Sequence, residues 1–75
     1  MTLDRVPPGK TVRVLSVGGG RACRQRLFSL GICPGELIKV LRSAPLSGPL
    51  MVEGKGGVFV IGRGMASRVL VEEVP

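Results

Sequence analysis

The sequence predicts a mostly β fold: a small, closed or nearly closed five-stranded barrel with one short α-helix between its first two strands. Three observations lead there. Five short apolar runs rich in Val, Leu and Ile recur along 75 residues, separated by turns drawn from 12 Gly and 6 Pro. Only one segment carries a helical repeat of apolar positions. A free sheet of five strands would have edges to protect, and closure removes them. The whole chain, 1–75, is expected to form one domain.

Met1 to Pro8 reads as a short entry arm, turned by Pro7-Pro8-Gly9-Lys10. Thr11 to Val17 is the first strand, with Val12 and Val14 facing inward. Leu15 and Val17 break the alternation, which calls for cover on both faces or a bulge. Gly18-Gly19-Gly20 ends it. The helix follows from Arg21 to Leu30. Cys23, Leu27 and Leu30 fall on one stripe at i, i+4 and i+7, while Arg21, Arg24, Gln25 and Phe28 fall on the opposite side. Gly31 stands where a C-cap glycine belongs, and Ile32 can pack back on the helix end. A helix this short depends on docking its stripe.

Pro34-Gly35 is a turn, and Glu36 to Arg42 is the second strand with Ile38 and Val40 on one face. Ser43 to Pro49 reverses the chain. Leu50 to Glu53 is the third strand, Gly54-Lys55-Gly56-Gly57 a four-residue hairpin loop, and Val58 to Ile61 a fully apolar fourth strand. Gly62 to Ser67 reads as a compact turn of 3₁₀ type. Arg68 to Glu73 is the last strand, with Val69 and Val71 inward.

Composition argues against catalysis. There is no His, so the commonest general base and metal ligand is missing. Asp4, Glu36, Glu53, Glu72 and Glu73 are scattered, and the adjacent Glu72 and Glu73 point to opposite faces of a strand. Cys23 and Cys33, ten residues apart, fall short of a zinc or iron–sulfur ligand set, and no metal or cofactor is expected. They read as free thiols, with a disulfide as the lesser alternative. Gly18-Gly19-Gly20-Arg21 matches neither phosphate-loop spacing and reads as a strand–helix corner. The chain shows no secretory leader and no apolar run near the ~20 residues that span a bilayer, so a cytoplasmic location is expected.

What remains is binding. A net charge of +6 favours an acidic partner: nucleic acid, an anionic leaflet or an acidic protein face. Two Phe and no Tyr or Trp give no stacking platform for single strands and no aromatic groove for proline-rich peptides. The outer helix face, Arg21, Arg24, Gln25 and Phe28, is the candidate partner-binding patch, since exposed aromatic and Arg side chains are typical anchors. Packing of Phe28 beneath the loop Ala44 to Pro49 is the alternative.

Arg26-Leu27, Leu30-Gly31-Ile32, Pro34-Gly35, Ile38 and Val40, Ala44-Pro45, Gly48-Pro49 and then Ala66, Val69 and Val71 follow an order and spacing that resembles the FeoA family. The resemblance covers about Pro8 to Glu73. It implies an SH3-like barrel, the fold also of the C-terminal domain of DtxR-type metalloregulators. It implies a small cytosolic accessory of bacterial ferrous iron uptake that binds FeoB, a membrane permease with a cytosolic GTPase domain, and reaches the membrane only through that partner. The alternative is a basic SH3-like barrel that binds nucleic acid or stands alone as a metalloregulator-type interaction domain. Gly62-Arg63-Gly64 and the strong positive charge depart from the common pattern.

Overall fold

A sheet closes on itself only if its strands bend, and two irregularities bend this one. In the computed structural model, which describes residues 1–75, the strands are β1 (Thr11–Val17), β2 (Leu37–Ser43), β3 (Leu50–Gly54), β4 (Gly57–Ile61) and β5 (Val69–Glu73). They pair antiparallel in the order β4-β3-β2-β1-β5. The β1–β5 register shifts between Val14 and Ser16, which makes the broken alternation around Leu15 a bulge. A second shift falls in β2, between Val40 and Arg42. No ladder joins β4 to β5, so the barrel is nearly closed. The fold is mostly β, with the helix α1 (Arg21–Ser29) between the first two strands as expected.

The interior is wholly apolar. Val12 and Val14, Ile38 and Val40, Leu50 and Val52, Ile61, and Val69 and Val71 bring buried side chains from all five strands. Leu27 from α1 and Ile32 just beyond it complete the stack, both fully buried. No polar side chain is buried, so none needs a partner inside.

The structure departs from the sequence reading in detail, and the last strand begins at Val69, one residue later than expected. Gly54 pairs with Gly57, so the β3–β4 connection is the two-residue turn Lys55-Gly56, not a four-residue loop. The glycines at its ends belong to the strands. Residues 1–8 are no mere entry arm: Leu3 and Val6 are buried in the core, held by a 3₁₀ turn over Leu3–Arg5. Thr2 bridges Leu70, and the Val71 amide donates to the Met1 carbonyl at 2.8 Å, so this segment covers the outer edge of β5. The Gly62 to Ser67 turn holds one α-helical turn, α2 (Arg63–Ala66), which packs on the N-terminal 3₁₀ turn. Strand β2 begins at Leu37, one residue later than expected.

Candidate functional site

Helix α1 is seated by one residue and stopped by another. Leu27 is buried, and Cys23 and Leu30 pack half-buried against the core, as the stripe requires. At its end Gly31 takes φ +86°, where a side chain would be strained. The Gly31 amide donates to the Phe28 carbonyl at 2.9 Å and the Ile32 amide to the Leu27 carbonyl at 3.0 Å. That is the paired-bond helix stop with its apolar residue folded back, and Ile32 is fully buried.

The opposite face is free. Arg21, Arg24, Gln25 and Phe28 are all exposed, Phe28 to 45%, so its ring does not lie beneath the 44–49 loop. The structure therefore gathers the four residues on one open surface. Arg24 is not free to swing: its Nη1 donates to the Gly19 carbonyl at 3.1 Å, tying the guanidinium to the strand–helix corner. The absence of acidic residues from the first helical turn leaves this corner strongly positive.

Beside the corner lies a shallow cleft of about 220 Å³ lined by Gly19, Gly20, Cys23, Gly64, Met65 and Arg68. Arg68 joins the basic surface here, and the sequence reading missed it because it lies 44 residues beyond Arg24 in the chain. Both cysteines are free and partly buried. The structure has no group of three or more His, Cys, Asp or Glu side chains that could hold a metal ion. No helix is long and apolar enough to cross a membrane.

A larger groove of about 400 Å³ opens between β2, β3 and β4 and the 44–49 loop. Composition alone did not point to it, since its lining is assembled from three separate stretches of chain.

The family model of the FeoA domain matches residues 1–73. The chain belongs to the FeoA family. A Methanocaldococcus jannaschii relative that bears the name Fe(2+) transport protein A is 38% identical over 65 residues, covering 87% of this chain and 77% of that protein. The solution structure of FeoA from Chlorobium tepidum superposes with a TM-score of 0.91 at 35% identity, covering 100% of this chain and 71% of that one. The crystal structure of Stenotrophomonas maltophilia FeoA, solved in complex with zinc and described as an SH3 domain protein, gives 0.82 at 30% identity, covering 96% and 89%. A manganese-dependent transcriptional repressor shares the fold at 19% identity, with a TM-score of 0.91 over 99% of this chain and 41% of its own. The SH3-like architecture and the FeoA resemblance drawn from the sequence both stand.

Proposed function

We propose that this FeoA-family chain is a non-enzymatic accessory of ferrous iron transport that works in the cytoplasm by binding the cytosolic part of a FeoB-like GTPase and permease. The family supports the transport role. One observation carries the binding mode: Phe28 stands 45% exposed on a helix whose other face is locked by Leu27 in the core. An aromatic ring held on a rigid element costs little further order on binding and suits a docking anchor. Arg21 and Arg24 flank it and favour an acidic surface on the partner.

The test is titration of the isolated FeoB cytosolic domain with the whole chain, followed by calorimetry. Phe28→Ala is expected to weaken binding by about 2 kcal/mol. Arg24→Glu is expected to slow association and flatten its salt dependence. Unchanged affinity in folded variants would remove the helix face from the account. Steeply salt-dependent binding to duplex DNA, with none to the GTPase domain, would favour the nucleic-acid reading.

A further inference from the structure

The two ends of the sheet are treated differently. The outer edge of β5 is covered by the N-terminal segment through the Thr2–Leu70 bridge and the Met1 carbonyl. β4 pairs only with β3, and no backbone group outside that ladder hydrogen-bonds to it. The ladder closes at Gly54↔Gly57 and continues through Glu53↔Val58, Val52↔Phe59 and Met51↔Val60. Antiparallel alternation then turns the amides of Val58 and Val60 away from β3, toward solvent. β4 is also the one strand without a charged residue, and Val58 and Val60 are 53% and 62% exposed. Edges are normally blunted with charge, proline or cover, and this one has neither charge nor proline.

The 400 Å³ groove lies alongside. Its floor is a row across three strands, Arg42↔Met51↔Val60, and its wall is the 44–49 loop through Pro45 and Pro49. That loop is held rigidly. Arg63 donates to the Gly48 carbonyl at 3.0 Å and to Ser43 Oγ at 2.7 Å. Its tip residues Leu46 and Ser47 both sit at φ +59°, and Leu46 is 99% exposed. A leucine in the left-handed region with its whole side chain in water is poor for folding, and strain of this kind concentrates where surfaces recognise something. Arg42 has no carboxylate within ion-pairing distance; the chain's two ion pairs are Arg13–Glu72 and Lys55–Glu36.

We infer that the free edge of β4 and the adjoining groove form a second docking surface, distinct from the helix face, for an extended acidic segment of a partner protein. The segment adds as an antiparallel strand to β4 through the Val58 and Val60 amides, and one of its aliphatic side chains enters the groove over Met51 and Val60. A carboxylate beside that anchor meets the unpaired Arg42, in keeping with a net charge of +6. This inference does not rest on the helix-face reading, and the variants below leave that face untouched.

The experiment uses the whole chain and a fluorescein-labelled decapeptide of alternating threonine and valine with a central leucine and three glutamates. Its counterpart carries lysine in place of each glutamate. The glutamate peptide is expected to bind with a Kd below about 1 mM and at least about tenfold more tightly than the lysine peptide. Hydrogen exchange at the Val58 and Val60 amides should slow on binding, while α1 is unchanged. Val60→Pro removes an edge donor without removing a ladder bond and should abolish binding. Should that variant unfold, Arg42→Glu provides the second reading, reversing the preference between the peptides. Equal affinity for both peptides, no binding at about 1 mM, or exchange protection confined to α1 would overturn the inference. So would concentration-dependent dimerisation of the chain that Val60→Pro removes, because the edge would then belong to a second copy.

Discussion

Gly56, in the β3–β4 turn, rests against the carbonyl of Leu30 at the end of α1. A methyl group in place of its hydrogen would stand 2.9 Å from that oxygen and 3.2 Å from the Phe59 ring. The helix end is itself backbone that cannot swing aside, so the contact fixes how closely hairpin and helix approach. Gly56→Ala is expected to destabilise the chain by about 1–3 kcal/mol. Thermal unfolding should show this as a fall of roughly 4–8 °C per kcal/mol for a domain this small. An unshifted melting temperature would mean that the hairpin does not lie on the helix.

Leu27 is the residue through which α1 grips the barrel. It is fully buried, and the Ile32 amide returns to its carbonyl. Leu27→Ala removes the central anchor of a nine-residue helix and leaves a cavity among Ile32 and its strand neighbours. The expected loss is about 2–5 kcal/mol. Chemical denaturation checks it, and far-ultraviolet circular dichroism at low denaturant should show the helix loosening before the sheet. By contrast, Phe28→Ala on the opposite face should leave stability within about 0.5 kcal/mol.

The same two residues show what could be read from the sequence. Leu27 and Phe28 are neighbours with opposite fates, and the 3.6-residue period separates them without coordinates. The helix stop at Gly31 was equally legible, because the required conformation belongs to glycine. The buried strand faces followed from period two. What escaped was contact between distant segments. Leu3 and Val6 sit in a proline-bounded stretch too short to show any period, yet both enter the core. Arg68, just before β5, reaches the helix corner only through the closing of the barrel. The strain at Leu46 had no signal at all, since nothing in its residue type favours a left-handed backbone.

Arg63 ties together three segments that are far apart in the chain. Besides the Gly48 carbonyl and Ser43, it donates to the Asp4 carbonyl at 2.9 Å. Glycine-flanked Arg63 is thus the clamp that joins α2, the 44–49 loop and the N-terminal turn. Arg63→Met keeps the apolar stem and removes all three bonds. The expected cost is about 1–3 kcal/mol, because the freed carbonyls are partly open to water. Arg63→Lys should recover only part of it, since an ammonium cannot reproduce the planar fork. Faster amide exchange at Gly48 and Arg5 in Arg63→Met would mark both released segments together; a change at one alone would break the clamp into separate contacts.

Lys55 Nζ lies 3.1 Å from Glu36 Oε1, joining the β3–β4 turn to the segment leading into β2. The hydrogen bond to Glu36, and then the attraction of its charge, raise the Lys55 pKa above the ordinary lysine value of 10.5. A lysine whose pKa is higher folded than unfolded stabilises the fold fully below the unfolded value. That contribution disappears as pH rises through the higher, folded value. The pair is open to solvent, so the effect on stability is small and weakens further in salt. It should nevertheless be visible at the site. A carbon-detected titration of Lys55 Cε is expected to show a midpoint above 10.5 in the parent chain. In Glu36→Gln the charge is gone and the midpoint should fall back toward the ordinary value. If both chains titrate alike, the turn is not held to Glu36 in solution.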